Sequence, residues 1–241
     1  MKFALIGDPV EHSRSPELHR ILLAESGVDG SYVAIRVPRG EATAAIAGLR
    51  ADGFVACNVT YPLKEEAVAA CDDLTEEAGR ARAVNTIFFG SRTRGTNTDG
   101  IGARVAVEAL LDEPIALARI GVLGNGATAR AILAELQTND VYAFVWGRNR
   151  QRVLDVCAEF EAKPWPSNNV PEIVVSTLPP DADLPRELIA SLRTPDVVID
   201  ANYGPRATLA QRIGREVVGG DAMLEAQARA SLDFWLAQTL I

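Results

Sequence analysis

Two α/β domains, each built on a mainly parallel sheet, are expected from this chain, and three observations predict them. Short runs of β-forming residues alternate with helical stretches almost throughout. The alternation starts afresh near residue 119, after a helical stretch that ends in a proline. The 241 residues are 48% hydrophobic, enough for one large core or two modest ones.

In the first series the strand candidates are residues 2–6, 31–36, 54–58 and 84–89, and helical stretches lie near 16–26, 41–50, 62–70 and 75–82. Phe88 to Gly95 reads as a hairpin turn. Residues 100–111 form a helix that Asp112-Glu113-Pro114 should end. The second series places strands at 119–123, 141–146, 172–176 and 196–200, with a short one at 216–218. Its helices fall at 126–137, 149–161, 185–192 and 207–213. In the last stretch, 222–238, Met223, Leu224, Leu232, Trp235 and Leu236 recur at near-helical spacing. The domains are therefore 1–101 and 102–221, with 222–241 expected to pack back on the first.

Charge narrows the partners. With 24 basic and 32 acidic residues the formal net charge is −8, which disfavours nucleic acid and acidic membrane surfaces. An anionic ligand would need its own local cluster of cations and backbone N–H groups. Cys57, Cys71 and Cys157 are widely spaced and form no CxxC pair, so reduced thiols in the cytoplasm are expected. With only His12 and His19, no metal site is expected. The apolar start, Met1 to Ile6, is too short for a signal peptide, and no apolar run spans a bilayer.

Asn58-Val59-Thr60-Tyr61-Pro62-Leu63-Lys64 joins an apolar strand to the helical run beginning at Glu65. Lys64 is thus held on a strand-to-helix turn beside an amide, a hydroxyl and a stiffening proline. A lysine so placed can bind an anion or pass a proton. Taken alone, Lys64 is better explained as a solvated helix-start lysine.

Arg119-Ile120-Gly121-Val122-Leu123 runs into Gly124-Asn125-Gly126-Ala127-Thr128-Ala129 and then a helical stretch. This is the GxGxxA form of the dinucleotide fingerprint in its strand-turn-helix setting. Gly124 permits the tight turn, Gly126 lets a pyrophosphate approach the helix N-terminus, and Ala129 lets helix and strand pack closely. The domain over 102–221 is therefore Rossmann-like. After the next strand, where NAD-preferring folds carry an acidic residue, the chain has Gly147-Arg148-Asn149-Arg150-Gln151-Arg152. A basic run without a carboxylate suits a 2′-phosphate, so NADP is expected over NAD. Gly124, Gly126, Ala127, Ala129, Arg148, Asn149 and Arg152 are the candidate cofactor-binding residues of these two segments.

Three more polar segments remain: Ser13-Arg14-Ser15-Pro16, Ala83-Val84-Asn85-Thr86, and Asn97-Thr98-Asp99-Gly100-Ile101-Gly102. Helix caps and turns would account for each one alone. Together and in this order, with the Asn58–Lys64 segment, they resemble the shikimate dehydrogenase family, from Ala4 to about Gln227. The resemblance implies an N-terminal substrate domain and NADP-linked interconversion of shikimate and 3-dehydroshikimate, by a monomer or homodimer. It implies Lys64 and Asp99 as the catalytic pair, with Ser13 and Ser15 on the substrate carboxylate. Asn58, Thr60 and Asn85 would contact ring hydroxyls or carboxylate. Tyr203 matches a family tyrosine near the carboxylate, Gln227 a substrate-contacting glutamine, and Met223 a residue beside the nicotinamide. The chain departs from the family pattern at Gly126-Ala127, where paired glycines are usual, at Val175-Ser176-Thr177-Leu178-Pro179, and at Asp221-Ala222. A quinate or aminoshikimate dehydrogenase of the same family is the nearest alternative, and a catalytically silent NADP-binding relative a more distant one.

Overall fold

The computed structural model describes residues 1–111, 114–166 and 170–239. Asp112 and Glu113, expected to stop a helix, lie outside the described residues, as do Leu240 and Ile241. The chain forms two compact units, one of Met1–Asp99 with Gln227–Ile241 and one of Gly100–Ala226.

The first unit contains β1 (Lys2–Gly7), α1 (Ser15–Glu25), β2 (Ser31–Arg36), α2 (Ala42–Ala51), β3 (Ala56–Val59), β4 (Asp73–Leu74), α3 (Glu76–Ala81), β5 (Thr86–Phe89) and β6 (Thr93–Thr96). Its six-stranded sheet has the order β2-β1-β3-β5-β6-β4. β1 pairs in parallel with β2 and β3, whereas β5 runs antiparallel to β3 and β6. The antiparallel pair is the hairpin expected around Gly90, and its register sets Thr86 opposite Thr96. One face buries Ala4, Ile6, Val59 and Leu63 with Ile46 and Leu49 of α2. The other buries Phe3, Leu22, Leu23 and Ala56 with Ala228, Leu232 and Trp235.

In the second unit come α4 (Asp99–Leu111, whose first residue belongs to the first unit), β7 (Ile120–Leu123), α5 (Ala127–Thr138), β8 (Ala143–Trp146), α6 (Arg150–Glu159), β9 (Lys163–Pro164), β10 (Ile173–Ser176), α7 (Arg186–Ser191), β11 (Val197–Asp200), α8 (Leu209–Ile213) and β12 (Val218–Gly219). The last helix, α9 (Asp221–Thr239), passes from the second unit into the first at Ala226–Gln227. The sheet order is β12-β11-β10-β7-β8-β9 with every pairing parallel. Helices cover both faces of such a sheet, which is why β7, β8 and β10 are buried at every residue. β8 and β10 flank β7 on opposite sides, the strand-order reversal at which open α/β sheets bind ligands.

Two expectations need correction. Residues 62–70 do not form one helix. Leu63 N–H bonds the Thr60 carbonyl in a turn, and a 3₁₀ helix follows only over Glu66–Ala70. The cause is tertiary: the Lys64 carbonyl is taken by the N–H of Val84. The two-residue strands β4 and β9 were also not anticipated, being too short to carry a period of two.

Candidate active site

Lys64 and Asp99 meet in the first unit. Lys64 Nζ donates to Asp99 Oδ2 at 2.6 Å, and both side chains are largely removed from water, at 14% and 3% exposure. The chain brings them together in stages. β1 ends at Gly7 against the Thr60–Tyr61 turn, where Asp8 N–H bonds the Tyr61 carbonyl at 2.9 Å. A Cβ at Gly7 would lie 2.4 Å from Thr60 Cγ2, so this close approach requires glycine. Asp99 opens α4, and its N–H bonds Asn97 Oδ1, while Asn97 Nδ2 is anchored to the Ala83 carbonyl.

Asn85 orients the pair. Its Nδ2 lies 2.9 Å from Asp99 Oδ1, 3.1 Å from Gln227 Oε1 and 3.0 Å from Thr98 Oγ1. Its Oδ1 accepts from Thr86 Oγ1 at 2.8 Å and from Thr98 N–H at 2.9 Å. Asp99 therefore receives Lys64 on one oxygen and Asn85 on the other, leaving a buried carboxylate with charge-assisted bonds on both sides.

Asn58 sits on β3 in the same network. Its Oδ1 accepts from Tyr32 Oη at 2.8 Å, and its Nδ2 has the Asn85 carbonyl, Thr86 Oγ1 and Ser231 Oγ within 3.1 Å. The amide is thus held on both ends by protein. Thr60 is half-buried one residue beyond β3. Ser13 Oγ accepts from Ser15 N–H at 3.2 Å, a local cap that engages an acceptor site and leaves the hydroxyl proton for another partner. Ser15 is 8% exposed at the start of α1.

Tyr32, Ser231 and His19 were not singled out from sequence. His19 stacks on Tyr32 with ring centroids 4.5 Å apart and planes 4° from parallel. Its Nδ1 has no hydrogen-bond partner among the described residues, and burial lowers its pKa to about 4. Ser231 follows Gln227 by four residues on one helix, a spacing that could have flagged it.

The second unit holds the glycine turn by itself. Gly124 has φ +120°, a conformation that favours glycine, and a Cβ there would lie 2.3 Å from Thr177 Oγ1. Thr177 in turn donates to the Leu123 carbonyl at 2.8 Å. A Cβ at Gly126 would meet nothing within 4 Å, so the approach to the first turn of α5 is open. Ala127 is the first residue of α5, so the departure from paired glycines leaves the helix start in place. Ala129 is fully buried against the sheet.

Arg148, between β8 and α6, and Arg150 and Arg152, on the first turn of α6, stand exposed, and no side-chain partner is found for them among the described residues. Asn149 Oδ1 caps α6 by accepting from Arg152 N–H at 3.0 Å. An open helix N-terminus, a glycine turn and adjacent guanidiniums fit a dinucleotide with an extra phosphate. Tyr203 is half-buried just past β11. Met223 is 6% exposed within the core that contains Ile120, Val122 and Ile132. Asp221, the departure at the end of this unit, opens α9, where a carboxylate complements the helix N-terminus. Among the described residues no group of three or more His, Cys, Asp or Glu could hold a metal ion, and no helix is long and apolar enough to cross a membrane.

Comparison with known proteins agrees with this layout. Residues 5–87 match the model of the shikimate dehydrogenase substrate binding domain. The shikimate dehydrogenase (NADP(+)) of Gluconobacter oxydans is 37% identical over 250 residues, covering 96% of this chain and 88% of the relative. That of Acidiphilium cryptum is 33% identical, covering 98% and 90%. The structure of shikimate 5-dehydrogenase from Thermus thermophilus in complex with NADP(H) and shikimate superposes with a TM-score of 0.83 at 30% identity, covering 98% of this chain and 94% of that one. With relatives this similar along nearly its whole length, the chain belongs to the shikimate dehydrogenase family.

Proposed function

We propose that the protein is an NADP-dependent oxidoreductase that interconverts 3-dehydroshikimate and shikimate, with Lys64 and Asp99 as its catalytic pair. The observation that carries this reading is the 2.6 Å contact between Lys64 Nζ and Asp99 Oδ2, oriented by Asn85. The curated relatives named as NADP-dependent shikimate dehydrogenases, and the Thermus structure holding NADP(H) and shikimate, support the choice of substrate and cofactor.

NADPH, when bound, supplies the hydride that reduces the ketone. The residues of the chain do the rest. Gly124, Gly126 and the first turn of α5 hold the diphosphate, and Arg148, Asn149 and Arg152 surround the 2′-phosphate. Ala127 and Ala129 keep the turn and helix close, and Met223 shapes the wall near the nicotinamide. Ser13 and Ser15 donate to the substrate carboxylate, with Thr60, Asn58, Tyr203 and Gln227 around it. As the carbonyl oxygen gains charge, the Lys64 ammonium donates a proton to it, and in the reverse direction Lys64 takes that proton back. Asp99 accepts from the substrate hydroxyl and holds Lys64 in line. The reading extends to a cytoplasmic location, in keeping with three unpaired cysteines.

The test is nicotinamide absorbance at alkaline pH, with shikimate or quinate offered against NADP or NAD. Turnover of shikimate with NADP well above the other three combinations is expected. A rate with quinate equal to or above that with shikimate would replace the substrate, and no turnover of either would reject the enzyme.

A further inference from the structure

Ser231 is 1% exposed, and its single hydroxyl lies within hydrogen-bond distance of four groups, one on its own helix and three from other parts of the first unit. It donates to the Gln227 carbonyl at 2.9 Å, one turn back on α9. Asn58 Nδ2 donates to it at 3.1 Å. Thr86 Oγ1 and Thr98 Oγ1 lie 2.8 and 3.2 Å away. No other side chain of α9 is recorded touching Asn58, Thr86 and Thr98 together among the described residues.

Each hydroxyl carries one proton, so the protons can be counted. That of Thr86 goes to Asn85 Oδ1. That of Ser231 is shared between Thr86 Oγ1 at 2.8 Å and the Gln227 carbonyl at 2.9 Å, which leaves Ser231 Oγ as an acceptor for Asn58 Nδ2 and for Thr98. Thr98 Oγ1 has Ser231 Oγ at 3.2 Å and Asn85 Oδ1 at 3.3 Å as acceptors for its proton, and either choice leaves it a lone pair for Asn85 Nδ2 at 3.0 Å. Asn85 Oδ1 is then fixed as the acceptor end and Nδ2 as the end facing Asp99 Oδ1 and Gln227 Oε1. The opposite amide orientation would set an oxygen about 2.9 Å from the Asp99 carboxylate, a repulsive contact.

We propose that Ser231 is a positioning residue for the substrate site, locking the Asn85 amide through Thr86 and Thr98 and tying Gln227 to the same cluster. The proposal rests on the dehydrogenase reading above. Ser231→Ala removes the hub without adding volume: Thr86 Oγ1 loses a donor, Asn58 Nδ2 loses one of three acceptors and Thr98 Oγ1 one of two.

Steady-state kinetics of the intact chain test it. Ser231→Ala is expected to raise KM for shikimate about five- to tenfold, the loss of roughly one net hydrogen bond. The change in kcat should be smaller and KM for NADP unchanged. Ser231→Thr, which keeps the hydroxyl, should recover most of the loss. Should its extra methyl prevent folding, Thr98→Val combined with Ser231→Ala serves instead, with non-additive effects expected because both act on Asn85. A lowered melting temperature with unaltered KM, or an additive double mutant, overturns the proposal alone. No shikimate turnover by the wild type overturns the dehydrogenase reading and this one with it.

Discussion

Lys64 and Asp99 illustrate the cost of burying charge. Removing one partner of a buried ion pair strands the other, at about 3–5 kcal/mol. Lys64→Ala should therefore lower both stability and turnover. We expect kcat to fall about 10²–10⁴-fold, the usual range for a lost proton-transfer group, with a smaller change in substrate KM. Turnover at wild-type level in a folded Lys64→Ala protein would remove Lys64 from the chemistry. His19 makes a separate prediction. Burial lowers its folded-state pKa to about 4 from an ordinary 6.5. The unfolded chain takes up the proton first as pH falls, so stability is complete above about pH 6.5 and declines toward pH 4. The full effect is of the order of 3 kcal/mol. In His19→Phe, which keeps an aromatic ring against Tyr32, denaturant midpoints measured across this window should vary less with pH. A slope identical to wild type would show that His19 is not the group responsible.

At the scale of elements, strand ends and helix starts carry the chemistry. The β7-to-α5 turn was legible because its demands are local. A residue at φ +120° against Thr177 favours glycine, and the open position before α5 is glycine as well. Arg148 and the two arginines on the first turn of α6 stand in a chain of net charge −8 and have no recorded side-chain partner among the described residues. Arg148→Ala should raise KM for NADP about tenfold or more, the scale of a lost charge-assisted phosphate contact, and leave NAD-supported turnover nearly unchanged. An equal loss with both cofactors would place Arg148 away from the 2′-phosphate. By contrast, the stretch after Pro62 reads as helix from composition alone. It opens as a turn because the Lys64 carbonyl is taken by Val84, twenty residues further on in the connection between α3 and β5.

On the scale of the whole molecule, the first unit is closed by residues that come last in the chain. Trp235 is 2% exposed, lies 5.2 Å from the rings of Phe3 and His19, and donates Nε1–H to the Ile87 carbonyl at 3.1 Å. Trp235→Ala should cost about 3–5 kcal/mol in chemical denaturation, the range for a large buried aromatic. Hydrogen exchange should report the loss in β1 and β5. Full protection of those strands in the variant would mean that α9 is not needed to hold the sheet.

The amino-acid order alone determined the alternation of strands and helices, the glycine turn and the basic run after it, because each depends on neighbours within a few residues. It also placed Lys64, Asp99, Asn85 and Gln227 in recognisable local patterns. Only the tertiary structure decided that Lys64 meets Asp99, that Asn58 is held at both ends of its amide, and that Ser231 and Tyr32 join the same network. Those contacts link residues up to 173 positions apart. Hydrogen bonding and burial at such separations depend on sheet register and helix packing, which no short stretch of sequence encodes.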